Sequence, residues 1–306
     1  MVPVAAIVTT RNEELNIARC LRSLQGWIPE VYVIDSESTD ATCEIAAREG
    51  ATVVSLPYEH GKIIPWIFQW GLDNLPIQQE WVLILEADQA IPESLKMEMI
   101  RLFEREKIVE NGFYIKKRQV FRGHVLRFGG YGSKYLLKLF RRAKGQLDVR
   151  EQDTRVYIEG EVGYLRHPLH ESNAKEDSIL FYLEKHLRYA DAFAHEEVDR
   201  RENGWKWKAA PKLFGTPDQR VLWLKTRYYK APLYWRPMIY FLYRYILRLG
   251  ILDGKQGFIF HFLQAFWFRL IVDIRLEELL RGKDRSGDAA VGERVDPERG
   301  KEGSRA

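Results

Sequence analysis

Two carboxylates separated by one residue, Glu86 and Asp88, end the apolar run WVLILEADQA. Side chains alternate along a strand, so this spacing points both the same way at the carboxyl end of a buried strand. Open α/β sheets bind ligands at that edge. Two hard oxygen ligands suit Mg²⁺ or Mn²⁺, which takes further ligands from water and from substrate phosphates. The pair predicts a metal-bound phosphate site, and solvated turn residues are the alternative.

The chain before this pair alternates apolar runs of strand length with helical patterns. Three such runs, PVAAIVTT, VYVID and ATVVSLP, precede WVLILE. A helical face follows the first of them, made of Leu15, Ile17, Leu21 and Leu24. Strands that alternate with helices of about 10–15 residues indicate right-handed crossovers and an α/β, doubly wound, mostly parallel sheet. We therefore expect the polar segments 9–13, 35–38 and 86–88 to meet at one edge.

Three runs at ordered spacing carry a family resemblance: VTTRNEELNIARCLRSL, VIDSESTDAT and FQWGLDNLPIQQEWVLILEAD. They resemble the nucleotide-sugar domain of family 2 glycosyltransferases, the inverting GT-A type. Within it they are most similar to the lipopolysaccharide-core β-1,4-glucosyltransferases and their exopolysaccharide relatives. The resemblance extends from about residue 3 to about residue 275. It implies a GT-A fold, Mn²⁺ or Mg²⁺ as cofactor, and a nucleotide-sugar donor, for which we expect a UDP-hexose.

The resemblance assigns a set of residues to the donor: Thr9, Arg11, Glu13, Asp35, Lys62, Glu86, Ala87 and Gly130. A carboxylate such as Asp35 would accept a charge-assisted bond from the base or the ribose. Local alternatives stay open for several of them. Glu13 would complement a helix dipole, Asp35 would cap a turn, Lys62 would be solvated, and Gly130 would only form a turn.

The family's metal motif usually reads L-D-A-D-E, whereas this chain has L-E-A-D-Q at 85–89. The resemblance implies that Asp88 contacts the metal, with Glu86 beside it and with Gln89 removing a charge. A histidine after the catalytic loop completes the metal shell in many relatives, and His167 matches that position. A packed structural histidine is the alternative there.

An inverting transfer needs a general base that takes the proton of the acceptor hydroxyl. Relatives carry an Asp-Glu-His-like group at the register where this chain has Asp153, Thr154 and Arg155. Only the aspartate is shared, so the resemblance implies Asp153 as the catalytic base, with Glu151 in reserve. A loop acid without catalytic role is the alternative.

The C-terminal third differs in composition from the rest of the 306 residues. Between Gly204 and Gly250 ten lysines and arginines accompany one acid, Asp218, among many tryptophans and tyrosines. Such a mixture suits anionic lipid head groups with interfacial aromatics, or nucleic acid. The uncharged run QGFIFHFLQAFWF is shorter than the ~20 residues that span a bilayer, so we expect helices that lie on a membrane. The side chains expected to enter lipid are Phe258, Phe260, Phe262, Phe266 and Trp267. A packed helical subdomain is the alternative.

These patterns predict a GT-A domain at 1–200, a basic and aromatic helical membrane-surface region at 201–280, and a disordered tail at 281–306. Two cysteines, Cys20 and Cys43, favour free thiols, and the first residues form a strand instead of a signal peptide. The expected protein is a cytoplasmic glycosyltransferase, peripheral on the inner membrane face, that extends a glycan or lipid-linked acceptor of lipopolysaccharide or cell-surface polysaccharide.

Two functions from other classes compete with this one. A nucleotide-sugar-binding protein that has lost catalysis would account for Glu86, Gln89 and the reduced 153–155 motif. A nucleic-acid-binding protein is disfavoured, because the chain has no recognised nucleic-acid motif. The donor sugar, the acceptor, the linkage and the oligomeric state are left open.

Overall fold

A computed structural model describes residues 1–57, 64–204 and 207–292, with side chains as far as 282. Lys62 lies outside the described residues. The strands are β1 (Val4–Thr10), β2 (Glu30–Asp35), β3 (Thr52–Ser55), β4 (Trp81–Glu86), β5 (Gln89–Ala90), β6 (Gly112–Phe121), β7 (His124–Leu126), β8 (Tyr135–Arg141), β9 (Gly145–Leu147), β10 (Val156–Ile158), β11 (Val162–Tyr164) and β12 (Leu169–Ser172). The helices are α1 (Ile17–Arg22), α2 (Thr42–Arg48), α3 (Ile64–Asn74), α4 (Glu93–Phe103), α5 (Ile179–Asn203), α6 (Pro217–Lys230), α7 (Trp235–Leu242), α8 (Gly254–His261) and α9 (Phe268–Gly292).

The central sheet has the order β3-β2-β1-β4-β8-β6-β12-β5, which confirms the expected α/β architecture. The first four strands in this order are parallel, as the crossover argument predicts. β8 then runs antiparallel to both of its neighbours, β4 and β6. β12 is parallel to β6, and the short β5 pairs antiparallel with β12. The segment after the metal motif therefore returns to the sheet beside that motif.

The sheet separates two apolar cores, and strand β1 serves both. Val4, Ala6 and Val8 face the core that contains α1 and α4, while Ala5 and Ile7 face the core that contains α3. This division follows the two-residue period of a strand buried on both faces. Every residue of β1 is buried, so the strand holds its carboxyl end in a fixed position.

The first predicted helix is only partly as expected. Ile17, Leu21 and Leu24 are buried, but Leu15 precedes the helix and is 62% exposed. Both cysteines are free, as predicted, and Cys20 is buried.

The helices after the sheet form a second packed unit around α5 and α9. Ala190 contacts Phe268 and Val272, and one turn further along α5 Ala194 and Val198 contact Leu276. The boundary proposed at residue 200 lies inside α5, and the tail proposed to begin at 281 begins inside α9, which continues to Gly292. The packed helices therefore begin at α5.

A buried ion network, the Arg236 clamp, fixes α7 against this unit. The Arg236 guanidinium is 1% exposed and donates to both carboxylate oxygens of Glu197 on α5, at 2.9 and 2.8 Å. It also donates to Asp273 on α9 at 2.7 Å. Planar guanidinium geometry suits such bidentate bonding, and each buried charge has its partner.

Large apolar side chains nevertheless face outward from α7 to α8. This apolar face consists of Trp235, Met238, Ile239, Leu242, Ile246, Leu247, Leu249, Ile251, Leu252, Phe258 and Phe262. Its two helical parts adjoin, since Phe241 on α7 contacts Phe262 with ring centroids 6.2 Å apart. Exposed apolar surface of this extent marks an interaction site in soluble proteins.

The aromatic residues at 258–262 are not all exposed, as the prediction of lipid contact requires. Phe260 is 4% exposed and packs on Phe121 of β6, so its expected entry into lipid is wrong. Phe258 and Phe262 are exposed, as expected. The continuous helical stretch Gly250–Gly282 is long and apolar enough to cross a membrane, yet 39% of its most apolar window is buried in the protein.

Candidate active site

The sheet topology brings the predicted polar segments to one edge. Thr9 lies opposite Glu86 across the β1–β4 pair, and Thr10 lies opposite Asp35 across the β1–β2 pair. Parallel strands end at the same edge, which explains this convergence. The expected gathering of the three segments is confirmed.

Backbone amides of the first loop are bonded to the segment after β2. Asn12 N donates to Ser38 Oγ at 2.7 Å, and Glu13 N donates to Thr42 Oγ1 at 2.7 Å. Asp35 is buried and accepts two bonds from Ser38, from the backbone N at 2.8 Å and from Oγ at 2.5 Å. These bonds build a fixed wall beside the carboxyl end of β1, and they show the turn role of Asp35 that the sequence left open.

Glu13 is held by the nearby Asn16 and by Lys175, which lies 162 residues further along the chain. Its carboxylate pairs with Lys175 Nζ at 2.5 Å and accepts from Asn16 Nδ2 at 2.6 Å. Asn16 Nδ2 also donates to Asn173 Oδ1 at 3.0 Å. Thr9 is buried in the strand, and Arg11 is exposed at the loop. The first loop is therefore joined to the segment that follows β12.

Asp88 has the most unusual surroundings of the acidic residues at this edge. Among the described residues its buried Oδ1 has no hydrogen-bond partner, and its Oδ2 has a long bond from Asn173 Nδ2, at 3.4 Å. Burial, and next the negative charge of Glu171, raise the pKa of Asp88 to about 7. A buried oxygen without a partner is costly, and a bound cation would satisfy it.

Glu86 and Gln89 are the two positions at which this chain differs from the family motif. Glu86 pairs with the buried Lys138 at 3.3 Å. The Gln89 amide donates to Glu171 at 2.8 Å and to Glu86 at 3.4 Å, so it joins two carboxylates. An acid at position 89 would repel both of them. Glu171 of β12 therefore places a carboxylate beside position 89.

Glu171 is a site residue that sequence reasoning missed. It pairs with Lys117 of β6, and β12 places it opposite Gln89. Burial alone would raise the pKa of Glu171, but the charge and hydrogen bond of Lys117 outweigh it and lower the pKa to about 2. The His-Glu pair at 170–171 is the sequence signal for this position, whereas the family resemblance pointed to His167.

His167 has different neighbours from the predicted ones. It is exposed, and its Nδ1 lies 2.9 Å from Glu98 of α4. Among the residues described, no three His, Cys, Asp or Glu side chains are close enough together to hold a metal ion. The structure therefore does not assemble Glu86, Asp88 and His167, because β12 brings Glu171 and Asn173 to this edge while His167 stays at α4.

The two candidate bases differ sharply in access. Asp153 forms an ion pair with Lys225 of α6, and its side chain is 43% exposed. Burial would raise its pKa, but Lys225 and then Arg155 outweigh burial and hold the pKa well below its usual range. Glu151 is fully buried, bonded to Arg155 and to the Tyr157 hydroxyl at 2.6 Å. An acceptor can reach Asp153 but not Glu151.

The glycine-rich loop packs on the helical unit. Gly129 and Gly130 both have left-handed φ angles, +63° and +87°. A Cβ at Gly129 would overlap the His261 ring, and one at Gly130 would lie 3.6 Å from Arg248. Asp253 accepts from two consecutive loop amides, Arg127 N and Phe128 N, both at 3.0 Å. Both glycines are required by the backbone, and Gly129 also by the close approach of His261.

The sheet topology and the polar residues at its edge agree with one protein family. Residues 5–172, more than half of the chain, match the sequence model of the family described as Glycosyl transferase family 2. The protein belongs to this family, as the resemblance predicted.

Comparison with curated proteins gives relatives of two kinds. The lipopolysaccharide core biosynthesis glycosyltransferase LpsC of Rhizobium meliloti is 25% identical over 278 residues, which cover 86% of this chain and 90% of LpsC. An uncharacterized glycosyltransferase of Rickettsia felis is 32% identical over 103 residues. That match covers 34% of this chain and only 35% of the Rickettsia protein, so the chain spans about a third of such relatives.

Solved structures show a more distant likeness. Staphylococcus aureus TarS 1–349 has 16% identity and a TM-score of 0.45, covering 91% of each chain. Glucosyl-3-phosphoglycerate synthase from Mycobacterium tuberculosis, in complex with Mn²⁺, UDP-glucose and phosphoglyceric acid, has 24% identity and a TM-score of 0.30, covering 40% of this chain and 45% of that one.

Proposed function

We propose that this protein is a metal-dependent, inverting glycosyltransferase. It transfers a hexose from a UDP-sugar to a glycan or lipid-linked acceptor in lipopolysaccharide or cell-surface polysaccharide synthesis, at the cytoplasmic face of the membrane. The observation that carries this proposal is the sheet edge where Asp35, Glu86 and Asp88 converge, with the Asp88 Oδ1 buried and unpartnered. Similarity to LpsC over most of both chains supports the pathway.

The residues at this edge fit a divalent cation. Asp88 has an orphaned carboxylate oxygen, and Glu86 lies two residues before it. Carboxylate oxygens are the ligands that Mg²⁺ and Mn²⁺ prefer. We propose that Asp88 and Glu86 hold the cation, which when bound neutralises the charge of the leaving diphosphate. Burial of Asp88 among acidic neighbours keeps this site receptive to positive charge.

The protein's own groups divide the remaining work. The wall formed by Asn12, Ser38 and Asp35 would position the nucleoside. Asp153 would accept the proton of the acceptor hydroxyl, and Lys225 would keep that carboxylate ionised before the reaction. A depressed pKa makes Asp153 a weak base, so its contribution depends on position as much as on proton affinity.

The apolar face supports a location at the membrane surface. Its aliphatic and aromatic side chains extend from Trp235 on α7 to Phe262 just after α8, and Arg248 and Lys255 are exposed within this stretch. Apolar side chains flanked by cations suit the boundary of an anionic leaflet. A lipid-linked acceptor would then be presented to the same side of the protein as the glycine-rich loop.

A donor panel tests this function. The purified protein is incubated with UDP-, GDP- and dTDP-hexoses, with Mn²⁺, with Mg²⁺ or with EDTA, and nucleoside diphosphate release is measured. We expect release from a UDP-sugar that requires the cation. UDP binding without turnover in any arm, including arms with lipopolysaccharide acceptor, would favour the competing function of a binding protein without catalysis.

A further inference from the structure

Four cations between the glycine-rich loop and the candidate base lack an acidic partner among the described residues. Lys134, Arg244, Arg248 and Arg269, here termed the cationic cluster, form no ion pair with a carboxylate of the described residues. The neighbouring cations Lys117 and Lys225 pair with Glu171 and Asp153. The cluster therefore carries unneutralised positive charge.

Aromatic rings hold two members of the cluster in place. The Arg244 guanidinium lies 4.3 Å from the Tyr131 ring centroid and donates to the Tyr240 hydroxyl at 2.8 Å. Its Nε is buried without an acceptor. The Arg269 guanidinium lies between 5.0 and 6.0 Å from four ring centroids, those of Phe193, Tyr228, Tyr240 and Phe268, and has no hydrogen bond to the described residues. Rings stabilise a guanidinium through their faces but leave its N–H donors available.

The electrostatic effects of the cluster appear in its neighbours. The positive charge of Lys117 is the main cause that lowers the pKa of Lys134 to about 8. Burial would raise the pKa of Tyr240, but Arg244 and then Arg269 outweigh burial and lower it. Both shifts indicate a positive potential that favours an anion.

The cluster lies between the candidate metal edge and the candidate base. Lys134 O accepts from Lys117 N at 2.8 Å, and Lys117 bonds Glu171 at the metal edge. Asp153 is close enough to Lys134 and Arg269 to affect their pKa values. A general base must lie within hydrogen-bond reach of the acceptor hydroxyl, so a group bound beside Asp153 belongs to the acceptor.

We propose that the cationic cluster binds a phosphate group of the acceptor, so that the substrate is a phosphorylated glycan or a phosphate-linked lipid. This inference rests on the proposed function for the meaning of "acceptor". The Arg244 and Arg269 guanidinium groups and the Lys134 ammonium match the oxygens of a phosphate dianion, and arginine binds phosphate in a bidentate manner. The bound phosphate would place a nearby hydroxyl at Asp153.

Inorganic phosphate is the probe that tests the cluster. It is titrated by calorimetry into the full chain, once alone and once with UDP and Mn²⁺ at saturation. We expect phosphate to bind in both titrations, and Lys134→Gln or Arg269→Gln to weaken it about tenfold, the scale of one charged hydrogen bond. UDP affinity should stay within twofold in both variants.

Arg227→Gln is the matched control. Arg227 also stacks on an aromatic ring, that of Trp223 at 5.1 Å, but it is exposed on α6 outside the cluster. Phosphate affinity should not change in this variant. Lys134 is exposed, so its variant tests the cluster even if Arg269→Gln does not fold.

Three results would overturn the proposal: no phosphate binding, equal loss in the Arg227→Gln control, or displacement of phosphate by UDP, which would assign the cluster to the donor diphosphate. Failure of UDP to bind with Mn²⁺ would instead reject the proposed function, and phosphate binding to the cluster would still be measured.

Discussion

The sheet edge and the cationic cluster of the helical unit differ in how their charges are paired. At the sheet edge the lysines pair with carboxylates: Lys117 with Glu171, Lys138 with Glu86, and Lys175 with Glu13. Asp35 is bonded to Ser38, whereas Asp88 forms no ion pair with the described residues and has a buried oxygen without a hydrogen-bond partner among them. In the helical unit Arg244 and Arg269 lie against aromatic rings, and no described carboxylate pairs with them. In our proposals the sheet edge binds a cation and the cationic cluster binds an anion, and both adjoin one site.

Asp153 lies where the two regions meet, so its replacement has the largest expected effect. Asp153→Asn should lower the transfer rate by about 10²–10⁴-fold, the usual contribution of a general base, while UDP-sugar affinity stays within a few-fold. Single-turnover transfer and donor titration measure the two quantities. A parallel fall in donor affinity would make Asp153 only the partner of Lys225, and Lys225→Gln would then give the same losses.

The Arg236 clamp tests whether the helical unit depends on paired charges where it is buried. Arg236→Met should lower the free energy of unfolding by about 3–5 kcal/mol, because Glu197 and Asp273 would stay buried without a partner. Denaturant titration measures the change. Arg281→Met, which breaks the exposed pair with Glu277, should cost less than about 1 kcal/mol. Equal effects in both variants would contradict a special role for burial.

At the sheet edge, Asp88→Asn removes the negative charge of an acid that forms no ion pair with the described residues. We expect kcat/KM to fall by about 10²-fold or more and Mn²⁺ binding to weaken, since a metal ligand is lost. Calorimetry with Mn²⁺ and UDP gives the binding measurement. Asp73→Asn, at an exposed position of α3, is the control. Normal turnover of the Asp88 variant would remove the metal site from the proposal.

Gln89→Glu would add a carboxylate at the sheet edge beside those of Glu171 and Glu86. Because Gln89 is fully buried and donates to Glu171 and Glu86, the change should lower the free energy of unfolding by about 1–3 kcal/mol. Thermal and denaturant unfolding measure it. Gln146→Glu on the exposed side of β9 should be neutral. A variant with unchanged stability but tighter Mn²⁺ binding would show that position 89 is itself a ligand position.

The smallest effect concerns the apolar face. Trp235 is 70% exposed, and Trp235→Ser should weaken binding to anionic vesicles about tenfold, as expected for one interfacial apolar side chain. Co-sedimentation at low and high salt measures it. Phe214 is 96% exposed but lies outside the apolar face, so Phe214→Ser should not change binding. No sedimentation of the unaltered protein with any vesicle would reject the membrane location.

Short sequence patterns predicted the part of the molecule in which successive strands are joined by short connections. The strands β1 to β4 and their parallel direction follow from apolar runs and crossover handedness, so Thr9, Asp35 and Glu86 were expected at one edge. Glu171 and Asn173 reach Asp88 from more than 80 residues away, through the pairing of β12 with β5 and β6. No short sequence pattern contains that register, so the sequence pointed to His167 as a metal ligand and not to Glu171 or Asn173.

The helical unit was harder to predict, because aromatic, aliphatic and basic residues are interleaved from α6 to α8. Periodicity distinguishes a buried face only when the opposite face is polar. Phe258 and Phe260 have the same residue type, yet one is exposed and the other packs on Phe121. Similarly, Arg236 is buried in the clamp while Arg248 is exposed. These outcomes depend on helix packing, which single residues do not encode.

The Arg236 clamp also has a geometric consequence. Lifting α7 away from α5 and α9 would expose three charged groups from a buried network, so the apolar face keeps a constant position relative to the glycine-rich loop. If lipid lies against that face, the height of the reaction centre above the bilayer is set by a rigid body and not by a flexible tether. The protein would then select acceptors by how far their reactive hydroxyl projects from the membrane, a form of length measurement that requires no contact with the rest of the glycan.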